Sequence, residues 1–209
     1  EGYRLPPERQ LAQKLGVSRN SVREAIRSLS IIGVISSTQG AGNYISEQFG
    51  KSLIEWMNMM YMLRGTDYRQ FSELRKGLEL QAATLALSRI TAKQAKELIG
   101  IARDLEQCQE EKASAELDKQ LHQNIIRASE NQLLCELFQA TSHMMDLFIL
   151  DMRKKILVDP RTRELLQETH NNIAAALSNH NGTLLQSAYD RHFSLVDEAI
   201  EASLTKEKV

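Results

Sequence analysis

Between Leu5 and Tyr44 two short helical patterns meet at a glycine, and this stretch restricts the fold more than any other. The spacing predicts a helix from Pro7 to Leu15, a turn through Gly16-Val17-Ser18, and a second helix from Arg19 to Ile32. Proline suits a helix start, because the N–H it lacks would have no intrahelical partner there. Gly16 suits a helix end, and Ser18 can cap the amides of the helix that follows. Leu11, Leu15, Val17, Val22, Ile26 and Leu29 recur with helical period and are expected to pack the pair together. Two helices joined by a short glycine turn form a helix-turn-helix, whose second helix enters the DNA major groove. Opposite the apolar stripe, that helix carries Arg19, Asn20, Arg23 and Arg27. Arginine matches the O6/N7 edge of guanine and asparagine the edge of adenine. Val34-Ile35-Ser36 and Tyr44-Ile45 flank Gln39-Gly40-Ala41-Gly42, a glycine-rich hairpin turn that would form a wing. These residues read DNA.

The same residues resemble the winged helix of the GntR family of bacterial transcriptional regulators, over about forty positions without a gap. The resemblance implies DNA contacts from Arg9, Arg19 and Arg23, helped by Asn20, Ser21, Gln39 and Gly40. In that family the domain opens with a helix that would precede Glu1, so the winged helix is expected to be N-terminally incomplete here.

Charge supports the division. The chain carries 26 basic and 27 acidic residues, yet residues 1–45 hold six basic against three acidic groups, a net +3 that leaves −4 on the rest. A basic head suits phosphates, and an acidic body does not. The domains are expected at 1–48 and 49–209. Cys108 and Cys135 have no metal spacing and read as free thiols in a reducing cytoplasm. No apolar run is long enough for a membrane span.

Beyond Gly50 the pattern is helical throughout. Helices are predicted over Lys51–Leu63 (rich in Met), Asp67–Ile90, Thr91–Glu110, Ala113–Ser129, Asn131–Leu157, Arg161–His180 and Thr183–Leu204, with breaks at Gly65, Thr91, Lys112, Asn131, Pro160 and Gly182. The fold class is mainly α: a winged helix-turn-helix followed by an all-α antiparallel bundle of six or seven helices. The Met-rich helix is either a dimer surface or a core helix.

Ionisable groups on apolar stripes carry the chemistry. Asp118 and His122 lie four apart on one helical face; His170 sits among Leu166, Ile173, Ala174 and Leu177; His192 among Leu185, Ala188, Leu195, Val196 and Ala199. Burying such groups unpaired is costly, and a shared divalent cation removes the cost. Singly each histidine reads as a hydrogen-bonded core residue; jointly the four point to a metal, zinc first, with nickel, manganese or iron also suited. His143 falls on a polar face and His180 at a helix end, so neither joins the set.

Residues 50–205 resemble the FCD domain, the effector-binding half of one GntR branch. That resemblance implies the same quartet as metal ligands. It also implies that Arg75, whose neighbours are Phe71, Leu78 and Ala82, reaches the pocket to hold a small carboxylate effector; the plainer alternative is an Arg75–Glu79 pair on the helix. The expected protein is a homodimeric regulator of a pseudo-palindromic double-stranded operator, controlled by a small organic acid. A direct metal-responsive regulator is the alternative and a metal-dependent enzyme the remote one, since no general base stands beside the quartet.

Overall fold

The computed structural model describes residues 2–46, 49–64 and 67–206. It divides into two compact units, Glu1–Met60 and Tyr61–Val209.

In the first unit α1 (Glu8–Leu15) ends at Gly16, which takes a left-handed φ of 67°, and α2 (Arg19–Ile31) begins at Ser18, whose hydroxyl accepts the Ser21 amide at 3.0 Å. The hairpin pairs β1 (Ile35–Thr38) with β2 (Gly42–Ile45) antiparallel, Ile35 opposite Ile45 and Thr38 opposite Gly42. The segment before Leu5 adds to this wing. Leu5 donates its amide to Asn43, Ile45 donates to Tyr3, and the Arg4 guanidinium lies 6.0 Å from the Tyr44 ring centre. The expected stripe is only partly correct. Ala12, Val22, Ile26 and Ile35 are buried with Leu11 against them, but Leu15, Val17 and Leu29 are 66 %, 47 % and 38 % exposed. Two short helices and a hairpin enclose one turn of each stripe. Leu15 and Leu29 stand at the ends of their helices, beyond that enclosure.

The helices that follow are α3 (Phe49–Arg64), α4 (Tyr68–Arg89), α5 (Ala92–Gln107), α6 (Glu111–Ala128), α7 (Gln132–Ala140), α8 (Ser142–Ile156), α9 (Pro160–Ser178) and α10 (Gly182–Lys206). On α3, Trp56, Met59, Met60 and Leu63 are exposed. Gly65 lies outside the described residues. The anticipated starts are built as capping chemistry requires. Thr91 and Gln94 form a reciprocal capping box, Asn131 accepts the Leu134 amide, and Asp159 caps α9 with Pro160 in its first turn. One expected helix is two. Asn131–Leu157 breaks at Thr141, where the backbone amide and the hydroxyl both bond back to the Phe138 carbonyl at 3.1 and 2.7 Å. That double claim on one carbonyl ends the α-helical ladder, and the two axes meet at 69°. No single helix among the described residues is long and apolar enough to cross a membrane.

In the second unit α9 packs on α10 and α5, α6 on α4 and α5, α4 on α10, and α8 against α6. Their apolar faces form two clusters. One joins Ala83 and Ala86 of α4, Ile173 and Leu177 of α9, and Tyr189 and Phe193 of α10. The other holds Phe71 of α4, Leu166 of α9, and Leu195 and Val196 of α10, with Phe148 of α8. Along α4, α9 and α10 the sequence passes from one cluster to the other. At that crossing stand Arg75 and Glu79, His170, and His192.

Candidate metal centre and nucleic-acid interface

His122, His170 and His192 come from α6, α9 and α10 and are essentially fully buried. Each offers a ring nitrogen, and these atoms lie within 4.8 Å of one another. The three imidazoles that the sequence singled out therefore converge. Burial lowers the pKa of His170 to about 3 and holds that of His192 well below the usual range, with the neighbouring His122 and Arg75 adding to both shifts and Asp118 opposing them. These two rings are neutral, the state in which imidazole binds a metal.

The rings are also oriented. Thr169 donates its single hydroxyl proton to the Leu166 carbonyl at 2.6 Å, so its contact with His192 Nδ1 at 3.2 Å must be one in which the imidazole donates. The proton of His192 is then on Nδ1, and Nε2 keeps a bare lone pair. Glu79 Oε2 lies 2.5 Å from His122 Nδ1, which sets that ring against the carboxylate. Burial opposes the charge on Glu79, but Arg75 and His122 outweigh it and its pKa is lowered. Partners of this kind fix tautomer and raise ligand basicity.

Among the described residues, Nε2 of all three histidines, and Nδ1 of His122 and His170, have no hydrogen-bond partner. Each orphaned buried nitrogen costs on the order of 1–3 kcal/mol. A divalent cation would satisfy the Nε2 atoms together, so these residues fit one.

Asp118 lies against two of the three rings. Its Oδ1 is 3.5 Å from His122 Nε2 and its Oδ2 3.6 Å from His170 Nε2, while Oδ2 takes Nη1 of the buried Arg153 at 2.7 Å. Burial opposes its ionisation, yet His170, Arg153 and His122 hold its carboxyl well below the usual range. Arg75 points inward as its neighbours implied. It pairs with Glu79, and its guanidinium carbon lies 5.8 and 5.7 Å from the ring centres of Phe148 and Phe193. Arg75 is thus buried and makes the Glu79 pair. His180 is exposed at the end of α9 with φ 52° and its ring against the Leu87 carbonyl, away from the triad. The His143 side chain lies outside the described residues.

Glu79, Thr169 and Arg153 are the members that sequence reasoning missed. Glu79 precedes Ala82, Ala83 and Ala86 at helical spacing, and Arg153 is flanked by Ile149, Met152 and Ile156, so the rule that turned Arg75 inward would have found both. Thr169, among Leu165, Leu166 and Ile173, carries the same signal.

In the first unit Arg9, Arg19, Asn20, Ser21, Arg23, Gln39 and Gly40 are all exposed. Ser21 is tied to the start of α2 by its amide and by its hydroxyl, 2.8 Å from that of Ser18. Arg23 rests on Glu8, Nη2 to Oε2 at 3.1 Å, an exposed contact that α2 can exchange for a base or phosphate. Gly40 at the wing tip has φ 79°, a conformation glycine adopts without strain.

Residues 1–45 match the model of the bacterial regulatory proteins of the gntR family, and residues 70–195 match that of the FCD domain. The chain is 28 % identical to the HTH-type transcriptional regulator LutR of Bacillus subtilis, over 95 % of this chain and 92 % of that protein. It is also 28 % identical to a putative L-lactate dehydrogenase operon regulatory protein of Escherichia coli, over 98 % and 84 % respectively. A GntR structure from Streptococcus agalactiae superposes with a TM-score of 0.61 at 26 % identity, covering 95 % of this chain and 90 % of that one. With a winged helix-turn-helix at its start and the FCD match over most of its helical unit, the chain belongs to the FCD branch of the GntR family: it is a DNA-binding transcriptional regulator and not an enzyme.

Proposed function

We propose that this regulator controls its operator affinity through a small carboxylate-type metabolite received at a divalent cation in the helical unit. The observation that carries the reading is the triad: three buried imidazoles whose Nε2 atoms have no hydrogen-bond partner among the described residues. His122, His170 and His192 would hold the cation, with Asp118 as the adjoining carboxylate. When bound, the cation supplies a Lewis-acidic anchor for an oxygen of the acid, such as a hydroxyl. The protein's own residues set the rest. Glu79 and Thr169 orient two of the rings, and Arg75 adds a guanidinium behind them, its Nη2 buried without a partner. Asp118 balances part of that charge. Zinc suits the donor set first, and nickel, manganese or iron also suit it.

The E. coli relative is named for an L-lactate dehydrogenase operon. Small hydroxy acids are therefore the first class to test on this chain. The protein acts as a homodimer in this reading, with the exposed apolar residues of α3 as part of its contact, on a pseudo-palindromic operator. Half-sites one turn apart hold two recognition helices roughly 34–36 Å from each other. An acid that binds one packing of the bundle better than another shifts the population, and with it that spacing.

The test is direct. An operator is selected from a random DNA pool with zinc-loaded protein, and its affinity is measured as small acids are added. A change with one acid class, absent in His170→Ala, supports the reading. Operator affinity that follows zinc alone, whatever acid is present, would favour a direct metal-responsive regulator instead.

A further inference from the structure

A cavity of about 670 Å³ opens among α5, α6, α8 and α9. That volume suits a small organic ligand. Glu106, Glu164 and Glu168 line it as exposed carboxylates. Its other cations are engaged: Lys154 lies 3.5 Å from Glu111, and Arg163 donates to the Leu157 carbonyl at 3.0 Å. Arg153 also lines it, and unlike these residues it is 7 % exposed. One nitrogen of its guanidinium holds Asp118, and its Nε is buried with no hydrogen-bond partner among the described residues. Arg153 therefore touches the cavity on one side and the carboxylate beside the histidine triad on the other.

We propose that Arg153 is the receptor for the effector's carboxylate, and that an acid entering from this cavity draws the guanidinium away from Asp118. The inference rests on the acid-responsive reading above. An arginine fork accepts a carboxylate through two parallel hydrogen bonds, so an incoming acid can replace the single Asp118 contact with a better one. Asp118, already 3.5 and 3.6 Å from the ring nitrogens of His122 and His170, is then released toward the triad. Acid and cation reinforce each other, and by linkage each tightens the other by the same factor. The glutamates around the cavity accept hydrogen bonds and repel a second negative charge. They select a monocarboxylate that carries hydroxyl or ammonium donors, and they disfavour dicarboxylates.

The experiment uses the full chain loaded with zinc and three probes: L-lactate, propanoate and succinate. The readouts are the thermal melt and the rate at which a chelator removes the zinc. In the unaltered chain L-lactate is expected to slow zinc removal by about 5- to 150-fold, the usual span of such coupling, with smaller effects from the other two. Arg153→Met should keep zinc and lose the acid effect. Arg153→Lys, which keeps a charge but not the fork, should need at least about tenfold more acid, the step set by roughly 1.4 kcal/mol. An unchanged acid effect in Arg153→Met would overturn the proposal, as would succinate acting as strongly as L-lactate. Loss of cooperative melting in both variants would make Arg153 a structural residue and overturn it too. An unaltered chain that holds zinc but answers none of a wider panel of acids would fail at the earlier step, the acid-responsive reading itself.

Discussion

At the scale of single residues, the histidines are set by what holds them as much as by what they hold. Thr169 fixes the tautomer of His192 through one buried hydrogen bond. Thr169→Val should lower zinc affinity by about 10–100-fold, as a chelator competition would show, and should destabilise the metal-free chain by about 1–3 kcal/mol, because Nδ1 of His192 loses its acceptor. Burial also gives the metal-free chain a pH dependence. His170 has a pKa of about 3 when folded against about 6.5 ordinarily, so between those values the unfolded chain binds more protons. Stability is then fully present above about pH 6.5 and is lost as the pH falls toward 3, at up to about 1.4 kcal/mol per pH unit for this one ring. The lowered carboxylates of Asp118 and Glu79 add losses in the same direction further down the scale. Denaturant melts between pH 7 and 4 check this, and a flat profile would contradict the burial argument. On the DNA side, Arg23→Ala should weaken cognate binding by about 1–3 kcal/mol. Its exposed pair with Glu8 contributes less than about 1 kcal/mol to folding, so the melt should barely move.

Among the elements, those that begin and end on side-chain chemistry were legible in the sequence. Ser18, Thr91, Asn131 and Pro160 announce their helices because a cap is a local event, complete within four residues. Thr91→Ala should therefore cost about 0.5–2 kcal/mol, with a thermal melt as the measure. The break between α7 and α8 was not legible. Thr141 is an ordinary residue in a helical pattern, and only its bonds back to Phe138 reveal the turn. The exposure of Leu15, Val17 and Leu29 has a similar origin: periodicity shows which face is apolar, and only the neighbouring elements determine how much of it is covered. The triad was legible because imidazoles on apolar stripes are costly without a partner. That their Nε2 atoms have no hydrogen-bond partner among the described residues could be seen only in three dimensions.

For the whole molecule, a basic DNA-reading unit and an acidic helical unit match the two family models along one chain. The central claim is that the second unit holds a cation at His122, His170 and His192. The most direct measurement is elemental analysis of the purified chain, with thermal melts before and after chelation. A cation bound only by the folded state stabilises it by mass action, by about 2.7 kcal/mol at a hundredfold excess over its dissociation constant. About one divalent metal per chain, and a melt that falls on chelation and recovers when zinc is returned, is the expected result. A chain that carries no metal, takes up none when zinc is supplied and melts identically with chelator would contradict the claim.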